Sequence, residues 1–415
     1  MYFEGFSFED FSVELEDFGT VRTKKFDRIW KWSFGGSVPN HILRAGVIYM
    51  SSTDHHLYAV NAQTGKTIWK FRAGEVVFGA ATTLGNLVVF GAFDGCVYAI
   101  DMQKGELKWR FRTGGPISVA PNSDGSRVFV GSRDGFLYAL DGNGRELWRF
   151  RAGDEIACSP SVFEGRVFFG SFDSNFYCLD CKTGKEIWRF RTGGEIAYDR
   201  PTLVDNDVVY FTSFDNHVYA LNVSNGKEKW RFRAGKYGVS CPVKRMKDML
   251  FTGTRDGIFY ALTLEGKEIW RFRMNGMVIG FSFRNGKIYI PCEDGNLYVL
   301  SEDGREEWRF TFGKGGSFDT PSFMENLVFV GSMDCHLYAI DAETGKEKWR
   351  VGTSSSTPST APPPHEEFEV VVKKNVETPE EKVEYEVTEG GRSGMYGLRP
   401  QYAFKHEYAE RDVYG

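Results

Sequence analysis

Tryptophan recurs along this chain with a nearly constant step: Trp32, Trp69, Trp109, Trp148, Trp188, Trp230, Trp270, Trp308 and Trp349 are separated by 37 to 42 residues. A step of about 40 residues is the length of a small β unit, longer than the helical-hairpin repeats of about 34. Such a unit is too short to bury its apolar faces alone and must stack on its neighbours. The unit from Gly153 to Arg191 shows the pattern. Ile156, Ala157, Cys158 and Ser159 read as an inner strand ending at Pro160, where a missing backbone donor is tolerable. Arg166 to Gly170 and Phe176 to Leu179 read as the second and third strands. Lys185 to Arg191 alternates long side chains with a period of two and reads as the fourth.

The connections repeat as well. Between the second and third strands stand Asp54, Asp94, Asp134, Asp173, Asp215, Asp256, Asp294 and Asp334. Gly95, Gly135, Gly257 or Gly295 follows in four units, and His55, Ser174, Asn216 or Cys335 in the other four. A tight hairpin wants positive φ at that place, which glycine takes without cost. The eight carboxylates therefore read as turn residues capping their own backbone, not as a catalytic or calcium array. Gly65, Gly105, Gly144, Gly184, Gly226, Gly266, Gly304 and Gly345 lead into the fourth strands. Eight units stacked radially protect their edges by closing into a ring. The expected fold is all-β, an eight-bladed β-propeller with four-stranded blades and a C-terminal extension. Nine tryptophan-bearing strands compete for eight fourth-strand places, and the sequence leaves open whether Arg28 to Phe34 or the strand around Trp349 completes the last blade.

Ala99-x-Asp101-x-x-x-Gly105-x-x-x-Trp109, Cys178-x-Asp180-x-x-x-Gly184-x-x-x-Trp188 and Ala339-x-Asp341-x-x-x-Gly345-x-x-x-Trp349 resemble the tryptophan-docking repeat of pyrroloquinoline-quinone-type propellers. That family includes quinone enzymes and non-enzymatic relatives such as the bacterial outer-membrane assembly lipoprotein propeller. Ala59 to Trp69 and Ala220 to Trp230 keep the spacing with Asn61 and Asn222 in place of Asp, while Ala139 to Trp148, Ala261 to Trp270 and Val299 to Trp308 are shortened versions. The resemblance implies that Asp supports the turn, that Gly permits close approach, and that Trp docks on neighbouring backbone. It thus assigns structural docking to Trp69, Trp109, Trp148, Trp188, Trp230, Trp270, Trp308 and Trp349. For the enzymes it implies pyrroloquinoline quinone with calcium, held by carboxylates around a central pocket. The units here are nearly minimal and lack the adjacent cysteines common in alcohol-oxidising members, so no cofactor is favoured and no quinone ligand is named.

The repeat divides the chain into an acidic, aromatic N-terminal arm (1–26), the propeller (27–351), a Ser/Thr/Pro-rich linker (352–365), a β-hairpin candidate (366–390) and a tyrosine-containing tail (391–415). In the tail, Tyr396, Tyr402, Tyr408 and Tyr414 recur every six residues and share one face if the segment is extended. Met1 to Asp17 carries six acidic side chains and no Lys or Arg, unlike a secretory signal. No run of 18 apolar residues predicts membrane insertion. Seven cysteines without dense spacing predict reduced thiols and a cytoplasmic location. Cys178 and Cys181 form the one CxxC, without the second pair that a zinc site needs, so no metal is assigned.

The formal charge of −5 excludes a wholly basic binder but not a basic surface. The fourth strands repeat Trp-Arg-Phe-Arg, so alternation sends Trp and Phe to one side and the cations to the other. Lys70, Arg110, Arg149, Arg189, Arg231, Arg271, Arg309 and Arg350 form one ring, and Arg72, Arg112, Arg151, Arg191, Arg233 and Arg273 a second. Neutralisation by acids of adjacent strands competes with an open positive belt. Interaction is assigned to Arg112, Arg151, Arg191, Arg233 and Arg273 with the four tail tyrosines. No serine-nucleophile, zinc-protease, phosphate-loop or dinucleotide motif stands in its required context, and none of the seven histidines has a convincing Ser/Asp or metal-ligand spacing. No catalytic residue is named. The reading favours a non-enzymatic intracellular scaffold for protein or ribonucleoprotein partners. The alternatives are a quinone-dependent oxidoreductase and an RNA-associated factor using the Arg-rich circumference.

Overall fold

The computed structural model describes residues 12–15, 20–24, 36–196, 202–313, 315–353, 370–373 and 384–387. Eight antiparallel four-stranded sheets follow one another from His41 to Gly352, each from a continuous stretch of chain with its strands in sequence order. We number these blades 1 to 8. In blade 4 the strands are Ser161–Phe163, Arg166–Gly170, Asn175–Asp180 and Glu186–Arg191. The first strand thus starts after Pro160, not before it, because proline cannot donate to the ladder. Ile156, Ala157 and Cys158 are instead buried in the crossing from the preceding blade.

The second and third strands are buried on both faces. Val167, Phe169, Tyr177 and Leu179 pack with Phe129, Leu137 and Ala139 of blade 3. Their alternates Phe168, Phe176 and Cys178 pack with Val209, Phe211 and Tyr219 of blade 5. Period-two alternation therefore feeds two inter-blade cores rather than one core and solvent. First strands of neighbouring blades touch one another, which places them on the inner rim, while the fourth strands are exposed along one face on the circumference.

Each of the eight blade tryptophans, from Trp69 to Trp349, leaves its own blade and lies on the glycine turn of the next. A β-carbon on Gly226, at φ +69°, would stand 2.7 Å from the Trp188 ring, so only glycine satisfies both the left-handed backbone and the approach. The indole N–H of Trp188 donates to Val223 O at 2.9 Å, and Trp69, Trp109, Trp148, Trp230 and Trp270 donate likewise to Met102, Gly142, Cys181, Leu264 and Glu302. Trp349 of blade 8 lies on Gly65 of blade 1, with 2.8 Å left for a β-carbon there, and so closes the ring. The strand Glu347–Gly352 is the fourth strand of blade 8. Arg28 to Phe34, the competing segment, lies outside the described residues.

The repeated aspartates sit in turns. In blade 4, Asp173 Oδ1 accepts from Asn175 N at 2.8 Å and Oδ2 from the Tyr177 hydroxyl at 2.5 Å. Tyr58, Tyr98, Tyr138, Tyr219, Tyr298 and Tyr338 donate to the equivalent aspartates in their blades. Blade 6 departs: the Thr254 hydroxyl takes the backbone N–H of Ile258, and Asp256 Oδ1 is buried without a hydrogen bond.

Two compact units are distinguishable, one of Phe34–Ser359 and one of Met1–Ser33 with Thr360–Gly415. The second contains a four-stranded antiparallel sheet in which Thr20–Lys24, paired with Ser12–Leu15, also pairs with Val370–Lys373, and that strand with Glu384–Val387.

Candidate functional site

The fourth strands form the outer edge of the ring, and a bulge in each decides what they present. In blade 4, Cys178 pairs with Trp188 and Leu179 with Glu186, which leaves Ile187 as the extra residue. In a regular strand residues three apart point to opposite faces; the bulge puts Glu186 and Arg189 on the same one. Glu186 then takes the Arg189 guanidinium in two bonds of 2.7 Å. The same two-bond pairing joins Arg231 to Glu228, Arg271 to Glu268 and Arg309 to Glu306. Arg149 and Arg350 lie 3.6 Å from Glu146 and Glu347. The Arg189, Arg231, Arg271 and Arg309 guanidiniums also lie over the rings of Tyr177, Tyr219, Tyr260 and Tyr298. Neutralisation thus comes from the same strand rather than from adjacent strands, because the bulge supplies the partner locally.

The second ring behaves differently. Arg72, Arg112, Arg151, Arg191, Arg233 and Arg273 are exposed, and none forms an ion pair among the described residues. They occupy one register position at the ends of the fourth strands, opposite the starts of the third strands. Thr311 and Gly352 take that position in blades 7 and 8, so the arc has a gap. The bulges add an apolar row: Ile68, Leu147, Ile187 and Ile269 are 44 to 50% exposed, and Leu107 of blade 2 is exposed one residue away. At the bulge, blades 7 and 8 carry Glu307 and Lys348 instead. Blades 1 to 6 therefore expose an edge of unpaired guanidiniums, and in five of them aliphatic side chains beside it, that blades 7 and 8 lack. Tyr396, Tyr402, Tyr408 and Tyr414 lie outside the described residues.

At the joint of blades 8 and 1 the structure assembles a group that sequence spacing does not reveal. His41 Nδ1 lies 2.5 Å from Asp319 Oδ2, and His41 Nε2 lies 2.6 Å from Ser322 Oγ. Asp319 is fully buried and its carboxylate also accepts Gly331 N at 2.6 Å and Thr320 N at 2.7 Å. Some 280 residues separate the histidine from its partners, so sequence spacing gives no sign of a group that ring closure brings together.

Among the described residues the donor set expected of a calcium–quinone site is not assembled. Among the described residues no three His, Cys, Asp or Glu side chains converge to hold a metal, and seven of the eight turn aspartates are engaged by their own backbone and a tyrosine. Cys178 and Cys181 are buried, and burial pushes their thiols up to about 12 and about 11. No helix among the described residues is long and apolar enough to cross a membrane.

Comparison with known proteins agrees with this geometry. A family model described as outer membrane protein assembly factor BamB matches residues 19–141. The quinoprotein alcohol dehydrogenase PedH of Pseudomonas putida is 29% identical over 85 residues, which is 17% of this chain and only 14% of that protein. Among solved structures, BamB from Moraxella catarrhalis superposes with a TM-score of 0.62 at 18% identity, over 71% of this chain and 93% of that one. Saccharomyces cerevisiae Sqt1 gives 0.65 at 14% identity, over 72% and 94%. The computationally designed Ika8 protein gives 0.65 at 16% identity, over 77% and 96%. These likenesses show the fold. A second family model, described as the beta-propeller of beta-alanine-activating enzyme, matches residues 123–376, more than half of the 415, and the chain belongs to that propeller family.

Proposed function

We propose that the chain is an interaction scaffold that binds an acidic protein surface, alone or within a ribonucleoprotein, along the outer edge of blades 1 to 6. The observation that carries this reading is the contrast between the two arginine rings. Most of the first is neutralised by glutamates of its own strands, whereas the second is exposed in six consecutive blades without carboxylate partners among the described residues. An unpaired guanidinium offers fixed donors to a carboxylate, and the exposed aliphatic row beside it adds apolar area that discriminates a folded partner from a free anion. Similarity to a propeller named as an assembly factor supports the general role. The seven buried cysteines form no disulfide, which suits a reducing compartment such as the cytoplasm.

The test compares the wild-type chain with a variant carrying Arg112→Glu, Arg151→Glu and Arg191→Glu in retention of partners from native lysate, at rising salt and with or without nuclease. The expected result is a protein held by the wild type, released by salt and lost from the variant. Equal retention by both proteins would sink the reading. A partner lost only after nuclease treatment would move the arc's role to nucleic acid.

A further inference from the structure

We propose that Ser322, His41 and Asp319 form an acyl-transfer site at the inner rim of the blade 8–blade 1 joint, acting on short, apolar carboxylic esters. Ser322 opens the first strand of blade 8 and His41 opens that of blade 1. The order of groups is that of a serine nucleophile, a base and an orienting acid: hydroxyl, then 2.6 Å to Nε2, then from Nδ1 2.5 Å to the carboxylate. The two backbone N–H groups of Thr320 and Gly331 hold the Asp319 carboxylate in place. That carboxylate fixes the proton of His41 on Nδ1, which leaves Nε2 free to accept from Ser322.

Comparison with the other joints separates this group from ordinary inter-blade contacts. In three other blades the residue that opens the first strand reaches a backbone carbonyl just ahead of the following blade's first strand: Asn122 donates to Pro160 O, Ser161 to Thr202 O and Lys244 to Phe281 O. A hydroxyl such as that of Ser161 makes this joint unaided. At the blade 8–blade 1 joint the equivalent hydroxyl, Ser322, meets an imidazole backed by a buried carboxylate, an arrangement costly to bury. The His41 and Asp319 side chains are sealed from solvent, while Ser322 is only half-buried, so the nucleophile is the member that solvent reaches. Met324, two residues along the same strand and half-buried, sets an apolar side chain on the Ser322 side, which favours uncharged acyl groups.

In the reaction Ser322 Oγ attacks the acyl carbonyl carbon, and its proton passes to His41 Nε2. Collapse of the adduct breaks the bond to the alcohol, which leaves with that proton. Water then attacks the acyl-serine by the same route, releasing the acid and restoring the hydroxyl. Asp319 is a positioning residue for His41.

The test treats the full-length chain with a fluorophosphonate probe, maps the adduct by peptide mass spectrometry, and measures hydrolysis of p-nitrophenyl acetate. The expected result is one adduct on Ser322, with labelling and turnover lost in Ser322→Ala and reduced by about a thousandfold or more in His41→Ala and Asp319→Asn. A folded wild-type protein that takes no probe would overturn the proposal, and so would an adduct elsewhere or labelling unaffected by His41→Ala. Because the adduct is mapped on the wild type, the result stands even if a variant at this joint does not fold.

Discussion

Seven of the eight inter-blade joints are crossed by continuous chain; the eighth, between blades 8 and 1, is closed among the described residues by side chains and a few backbone contacts. The core solution is shared. Trp349 lies on Gly65 as Trp188 lies on Gly226, and Ile48, Met50 and Tyr58 of blade 1 pack with Phe329, Leu337 and Ala339 of blade 8. The differences are polar. This joint adds the buried Asp319–His41–Ser322 group, whereas the bond from Val38 N to Ser332 O matches those from Ile117 N to Ala92 O and Ile156 N to Ser132 O, and the Thr353 hydroxyl donates to Gly36 O as that of Thr113 donates to Gly115 O. Meanwhile the Trp308 and Trp349 indole N–H groups are buried without hydrogen bonds. Apolar stacking and the backbone bonds between blades are thus generic to the repeat, whereas the buried carboxylate–imidazole pair belongs to the joint that the chain does not link.

The largest effect expected from breaking this comparison is that of Trp188→Ala, which should cost about 3 to 5 kcal/mol in equilibrium unfolding, since the ring is 8% exposed and fills a cavity shared with blade 5. Asp319→Ala should follow at about 3 kcal/mol by leaving the buried His41 and two backbone donors unmatched, against about 1 kcal/mol for Ser161→Ala at a chain-linked joint. Equal costs for those two would show the closing joint to be no different from the rest.

Trp188→Phe and Trp349→Phe sharpen the contrast. The first loses a bond to Val223 O and the second loses none, so their costs should differ by about 1 kcal/mol in the same assay. Burial, with the Asp134 hydrogen bond, pushes the Tyr138 hydroxyl up to about 12. A folded-state value above the unfolded one of about 10 gives a contribution fully present below pH about 10 and lost as pH rises toward 12. Wild-type stability should fall through that window, and Tyr138→Phe should flatten the fall. At the small end, Arg189→Ala should cost under about 1 kcal/mol because its ion pair faces solvent, and Arg191→Ala close to nothing. A large stability loss in Arg191→Ala would mean that the open arc has an internal partner.

Much of the fold was legible because its signals are local. The tryptophan step counted the blades, the Asp and Gly positions marked the turns, and alternation placed Trp and Phe opposite the arginines. Legible too, though missed, was the tyrosine four residues after every turn aspartate, from Tyr58 to Tyr338, which accounts for one carboxylate oxygen in seven blades. The fourth-strand bulge was harder to see, since Ile187 fits a regular strand by composition; only its pairing shows that Glu186 reaches Arg189.

By itself the sequence determined an eight-unit ring of four-stranded blades, because each repeat carries its own turn chemistry and exposes apolar faces that only a like neighbour can cover. Tertiary structure alone decided which arginines stay open, since that depends on a register shift of one residue, and which strand completes blade 8. It alone brought His41 to Asp319 and Ser322 across some 280 residues. No periodicity encodes that meeting, because it occurs once, where the two ends of the repeat come together.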